Sequence, residues 1–267
     1  MLSKLRSLFS ASARALPDEP AARATVPSGQ RIYAIGDIHG RLDLFDQLLE
    51  RIDADESARG DADTTLILLG DLVDRGPDSR GVVERAMGLM ATGRVRVLAG
   101  NHEEMMLGSL SQDETLRHFL RHGGKQTLVS CGLGFEEYCA MQLEQLRERM
   151  IALVPQSHIA FMEATEDSIV VGDYLFVHAG IRPGVPLDQQ NRPDMRWIRR
   201  EFLEHQGDHG HVVVHGHSIA ELPEVRANRI GIDTGAFGSG RLTAVGLEGT
   251  ERWFITAEIA PEAREAA

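Results

Sequence analysis

The sequence predicts an α/β protein whose central strands run parallel and end along one shared edge. Three observations carry that expectation. Short apolar runs rich in β-branched residues alternate with stretches whose apolar residues recur at helical spacing. The connections between the early strands are long enough for crossover helices, which parallel pairing requires. Five of the runs also end at a motif combining glycine with Asp, Asn or His. These are Gly36-Asp37-Ile38-His39-Gly40, Gly70-Asp71-Leu72-Val73-Asp74-Arg75-Gly76, Gly100-Asn101-His102-Glu103, Val177-His178-Ala179-Gly180 and His215-Gly216-His217.

The elements follow in order. Arg31–Ile35 is a β-prone run, and Leu42, Phe45, Leu48, Leu49 and Ile52 then mark a helix. Thr64–Leu69 is the second strand, Val82, Val83, Ala86, Leu89 and Met90 the second helix, and Val95–Ala99 the third strand. Ligands in such sheets gather outside the carboxyl ends of the strands, where the first three motifs lie. From Glu103 to about Asp167 the pattern is mostly helical, broken at His122-Gly123-Gly124, with Leu143, Leu146, Met150 and Leu153 on one face. This reads as an insertion (103–167) beside the site. Six β-prone runs close the chain: 168–171, 174–177, 211–215, 229–232, 242–247 and 252–256.

At 267 residues the chain forms a full core and reads as one domain over 31–260. Residues 1–30 read as a tail: Met1–Ala15 is Ser/Ala-rich and weakly basic, and Pro17–Gly29 is a loose linker. The tail lacks the apolar centre and cleavage site of a secretory signal, so a cytoplasmic protein without stable membrane insertion is expected. A net charge of −12 argues against a nucleic-acid binder. Cys131 and Cys139 are too few for a disulfide framework and read as free thiols.

The motifs suit phosphate-ester hydrolysis. That reaction needs an activated water, neutralised phosphoryl oxygens and a proton for the leaving group, and two divalent ions ~3.5–4 Å apart meet the first two needs. Asp71 is the candidate bridging carboxylate. Asp37 and His39 suit one ion, and Asn101, His178 and one of His215 or His217 suit the other. Mixed oxygen and nitrogen ligands fit Mn²⁺ first, then Fe or Zn²⁺. His102 is the candidate general acid, with Asp74 to hold its ring. Arg75 and Arg199 can grip phosphoryl oxygens. Glu103 and Glu104 read only as acidic residues favoured at a helix start. His118, His122, His158, His205, His209 and His211 read as surface or loop residues, with His122 singled out by its adjoining glycines.

GDIHG, GDLVDRG, GNHE, a later HAG and GH together resemble the phosphoprotein phosphatase branch of the metallophosphoesterases, nearest its bacterial and lambda-like phage members. The resemblance spans roughly residues 31–247, and five motifs in this order are specific where any one is weak. It implies an αββα sandwich of two mixed sheets with a di-metal site at the edge. The implied ligands are Asp37, His39, Asp71, Asn101, His178 and His217. Asp74 and His102 are the implied acid pair, and Arg75 and Arg199 the phosphate grips. Within this branch His217 is preferred to His215, and Ile219 stands where other metallophosphoesterases carry a further histidine. Trp197-Ile198-Arg199 matches the Trp-x-Arg of lambda-like members. Gly235-Ala236-Phe237 lacks the tyrosine that eukaryotic members place near the site.

The expected activity is therefore removal of phosphate from phosphoserine and phosphothreonine in a phosphoprotein or phosphopeptide. The alternative is a dinucleoside tetraphosphate hydrolase of the same superfamily, whose members commonly carry Ala in place of Asp74 and GNHD in place of GNHE. A silent scaffold is the remaining class, although no ligand or acid residue is missing.

Overall fold

Alternation along the strands decides how the layers form. In the computed structural model, which describes residues 24–259, two five-stranded mixed sheets face each other. In the first, β1 (Gln30–Ile35), β2 (Asp63–Leu68) and β3 (Val95–Val97) are parallel. Next to β1 runs β9 (Arg241–Glu248), with β10 (Glu251–Glu258) at the edge, each antiparallel to its neighbour. In the second, β5 (Tyr174–Val177), β6 (Val212–His215) and β8 (Arg229–Gly231) are parallel. Its antiparallel edges are β4 (Ser168–Val171) and β7 (Glu224–Val225).

Side chains two apart share a face. Ile32 and Ala34, Ile67 and Leu69, Val212 and Val214, and Val245 and Leu247 therefore fill the space between the sheets. The opposite parity, Tyr33 with Ile35 and Leu66 with Leu68, packs under α1 (Leu42–Arg59) and α2 (Ser79–Met90). On the far side Leu175, Val177 and Val213 meet Met195 of α9 (Arg192–Trp197) and Phe202 of α10 (Arg200–Leu203). Helices cover both outer faces, so the expected αββα sandwich holds.

The insertion is six short helices: α3 (Asn101–Ser109), α4 (Asp113–Phe119), α5 (Lys125–Ser130), α6 (Phe135–Ala140), α7 (Leu143–Leu153) and α8 (Gln156–Glu163). Leu146 and Met150 of α7 are buried, as their spacing predicts. The break falls in a π-helical turn, Leu120–Gly124, where Gly123 takes φ 113°. Leu116, Phe119 and Leu128 join the same core as α1 and α2, so the insertion is packed on the first sheet's helical layer.

Three features depart from the sequence reading. Ala24 and Val26 are buried, and Thr25 donates backbone and hydroxyl hydrogen bonds to Asp173, both at 2.8 Å. Residues 24–29 are thus part of the folded body, because two small apolar residues alternate onto the inter-sheet core; residues 1–23 lie outside the described region. Strand β7 is too short to show a period. His158, expected at the surface, is buried in α8, where burial lowers its pKa. Cys131 and Cys139 are free thiols. Among the described residues no helix is long and apolar enough to cross a membrane.

Candidate metal centre and active site

Asp37 and His39 follow β1, the Gly70–Gly76 loop follows β2, and Asn101 and His102 open α3 just beyond β3. His178 follows β5, and His217 follows β6. All six expected ligands are buried on segments that leave the two sheets, although Asp37 stands outside the site's two compact donor groups and its carboxylate accepts the His217 N–H at 3.0 Å. Glycine permits this crowding. A Cβ on Gly76 would overlap the carbonyl of His39, one on Gly216 would overlap the Asp37 carboxylate, and one on Gly100 would overlap that of Asp71.

The hydrogen bonds fix the ring tautomers. His39 Nδ1 lies 2.8 Å from the Val73 carbonyl, and His178 Nδ1 lies 2.8 Å from the Leu69 carbonyl. A carbonyl only accepts, so both Nδ1 atoms donate and both Nε2 atoms keep a lone pair. His39 Nε2 then faces Asp71 Oδ2 at 3.5 Å. His178 Nε2 faces Asp71 Oδ1 at 3.4 Å and Asn101 Oδ1 at 3.0 Å. His39 Nε2 and His217 Nε2 are buried without a hydrogen-bond partner. Lone pairs aimed at carboxylate oxygens repel unless a cation lies between them.

The electrostatics agree. Burial holds His39 well below the ordinary imidazole pKa, His178 at about 4 and His217 at about 2. Burial, then the charges of Asp233 and Asp71, push Asp37 upward, and burial raises Asp71. Neutral imidazoles crowded against destabilised carboxylates form a donor set suited to divalent cations. Among the described residues, two groups have donor atoms that all lie within 4.8 Å of one another: His39 with Asp71 and His102, and Asp71 with His178 and His217. Asp71 belongs to both.

His102 Nδ1 lies 2.6 Å from Asp74 Oδ2, and its Nε2 lies 2.9 Å from Arg75 Nη2. The guanidinium only donates, so Nε2 accepts there and Nδ1 donates to Asp74. Burial holds His102 at about 4 and raises Asp74 well above the carboxylate range. Thr127 of α5 donates its hydroxyl to Asp74 Oδ1. Arg199 stands exposed, and its charge helps lower both His178 and His217.

The motifs, the strand-end placement and this donor set coincide with a shared sequence pattern: residues 30–238 match the calcineurin-like phosphoesterases. The chain belongs to that family. As a calcineurin-like phosphoesterase it is a metallophosphoesterase hydrolase, of a family that works with two metal ions. The sequence is 28% identical over 236 residues to the bis(5'-nucleosyl)-tetraphosphatase PrpE [asymmetrical] of Anoxybacillus flavithermus, covering 79% of this chain and 88% of that one. It is 42% identical over 78 residues to the symmetrical bis(5'-nucleosyl)-tetraphosphatase of Delftia acidovorans, covering 29% of this chain and 25% of that one. A solved structure provisionally assigned as a diadenosine tetraphosphatase superposes with TM-score 0.61 at 21% identity, covering 89% of this chain and 100% of that one. The cold-active protein-tyrosine phosphatase of a psychrophilic Shewanella superposes with TM-score 0.51 at 17% identity, covering 89% and 84%. These two likenesses show the fold.

Sequence reasoning missed three supports of this phosphoesterase site. Glu103 is buried, and its carboxylate accepts backbone N–H groups of Asp71 and Leu72 at 2.8 Å, Gly100 at 2.9 Å and Val73 at 3.3 Å. It therefore shapes the loop carrying Asp71. Thr127 sits in the insertion, far in sequence from the Asp74 it holds. Buried Asp233 faces Asp37 and accepts the Gly235 N–H at 2.9 Å. His215 lies outside both donor groups, its ring 5.0 Å from that of Phe202. Gly123, beside His122, accepts the Arg75 N–H at 3.2 Å. That contact gives the His122-Gly123-Gly124 break its link to the site.

Proposed function

We propose that this phosphoesterase hydrolyses bis(5'-nucleosyl) tetraphosphates. The observation that carries the substrate is the near full-length match to a bis(5'-nucleosyl)-tetraphosphatase, over 79% of this chain and 88% of the relative. The reading displaces a protein phosphatase from first place. A clean hydrolysis at an outer phosphate gives AMP and ATP from diadenosine tetraphosphate, and cleavage at the centre gives two ADP. The longer match, to the asymmetrical enzyme, supports the first outcome.

The residue roles belong to the same proposal. Asp37, His39 and Asp71 hold one divalent cation, and Asp71, Asn101, His178 and His217 hold a second, with Mn²⁺ the first candidate and Fe or Zn²⁺ next. Bound cations supply an acidified water and neutralise phosphoryl charge. Arg75 and Arg199 bind phosphoryl oxygens. When Arg75 turns to an anion it frees the His102 Nε2 lone pair to take up a proton, which the ring then gives to the leaving oxygen while Asp74 holds Nδ1. A phosphate leaving group needs less protonation than an alkoxide, so His102→Asn is expected to slow alkyl phosphates more than dinucleotides.

A phosphoserine or phosphothreonine phosphatase stands as the second reading, favoured by the Asp74–His102 pair at 2.6 Å. Turnover of diadenosine tetraphosphate against a phosphothreonine peptide, with Mn²⁺ added after chelation, separates the two. Preference for the peptide overturns the tetraphosphatase reading.

A further inference from the structure

Phe237 keeps its large apolar ring 38% exposed at the rim of a charged, buried site. Its ring meets that of His39 edge-on, with centroids 5.5 Å apart at 90°. The Arg75 guanidinium carbon lies 4.7 Å from the ring centre. The ring is carried on α11 (Ala236–Ser239), a single turn between Gly235 at φ 68° and Gly240 at φ 67°. Side-chain hydrogen bonds brace that turn. Asp233 accepts from the Gly235 N–H at 2.9 Å, Ser239 donates its hydroxyl to the Thr234 carbonyl at 2.6 Å, and Arg41 donates to the Ala236 carbonyl at 2.8 Å. Buried Asp233 and half-buried Arg41 and Ser239 thus hold an aromatic ring partly in water, beside the side chain that also reaches the candidate acid.

From this we infer that Phe237, backed by Arg75, is an aromatic subsite that stacks on a planar ring attached to the substrate's phosphate. Arg75 links the two ends of the subsite, since its other contact is His102 Nε2 at 2.9 Å. A phosphate that draws the guanidinium inward brings its own organic group against Phe237. The tetraphosphatase reading makes that group a nucleobase, and the naming of the ring rests on that reading. A phosphothreonine side chain offers no plane to stack. Base–aromatic stacking is tolerant of base identity, because every base presents a π-face.

The test compares inhibition by AMP and by ribose 5-phosphate, which differ by the base alone. Turnover of p-nitrophenyl phosphate by the full-length, Mn²⁺-loaded enzyme reports both constants. The wild type is expected to bind AMP about tenfold more tightly than ribose 5-phosphate, the scale of one stacking contact. Phe237→Ala and Phe237→Leu should bring that ratio towards one, and Phe237→Tyr should restore it. A wild-type ratio near one, or a ratio that Phe237→Ala and Phe237→Leu leave unchanged, overturns the subsite. Turnover of diadenosine tetraphosphate is scored separately. Its absence alongside a Phe237-dependent ratio rejects the tetraphosphatase reading and keeps the subsite. Its presence alongside a Phe237-independent ratio does the reverse.

Discussion

The strand-end site and the helical insertion differ first in their backbones. Among the described residues, every non-glycine with positive φ lies at the site: His39 (46°), Asp71 (50°), Asp74 (74°), Arg75 (68°) and His217 (61°). Such conformations cost of order 1–2 kcal/mol each. In the insertion only Gly123 and Gly132 take positive φ, and large side chains such as Phe135 and Ile151 stay exposed. Strain persists where buried hydrogen bonds dictate the backbone. Past α3, whose first turn carries Asn101, His102 and Glu103, the insertion's helices obey ordinary preferences and touch the chemistry at Thr127 on Asp74 and at Gly123 on Arg75.

Four perturbations break or sharpen that contrast. The largest effect is expected for Asp71→Asn, which removes charge from the carboxylate shared by both donor groups. Turnover should fall by about 10³-fold or more while circular dichroism stays native. Metal analysis after Mn²⁺ loading should find less than the wild-type content. Full metal content and wild-type turnover would reject the bridging role proposed for Asp71.

Next is Glu103→Ala, which strands four buried backbone N–H groups at the site. Urea unfolding should show a loss of about 3–5 kcal/mol, whereas Ile151→Ala on the insertion's exposed face should stay within about 0.5 kcal/mol. Equal losses would erase the distinction between the regions.

Gly123→Ala probes the junction. At φ 113° any side chain is strained, and a Cβ would stand 2.6 Å from the Arg75 backbone nitrogen. A stability loss of about 1–3 kcal/mol is expected, with kcat/KM reduced through Arg75. Unchanged kinetics in a destabilised protein would show that the insertion supports Arg75 without placing it.

The smallest effect concerns pH. Burial lowers the pKa of His158, opposed in part by Glu84 at 3.8 Å. The unfolded chain then binds the proton more tightly, so this contribution is complete above about pH 6.5 and is lost as pH falls below it. Thermal melts of His158→Gln should depend less on pH across that window than those of the wild type. Parallel curves would exclude His158 as a source.

Much of this molecule was legible in its residues because strand ends and ligand motifs coincide. Short β-prone apolar runs marked nine of the ten described strands to within a few positions, and the glycine motifs marked where the sheets end. What escaped depends on contacts between distant segments. Glu103 resembles any acidic residue opening a helix until the loop after β2 folds over it. Thr127 carries no local sign of its bond to Asp74. His158 looks like a surface residue because α8 reveals its buried face only once α2 is beside it. The substrate was the hardest point: Asp74 suggested a phosphoprotein, whereas similarity over 79% of the chain favours a dinucleotide.

The interlocked glycines bear on how such an enzyme can change. Where Gly76 lies on His39, Gly216 on Asp37 and Gly100 on Asp71, adding one carbon to one loop displaces a candidate ligand on another. Single substitutions there have almost no neutral neighbours, so the reaction itself is hard to modify stepwise. Innovation is channelled to the periphery, where exposed positions of α6 to α8 such as Phe135 and Ile151, and the ring at Phe237, stand clear of that lattice of contacts. A lineage built this way inherits its chemistry as a block and diversifies in what it admits.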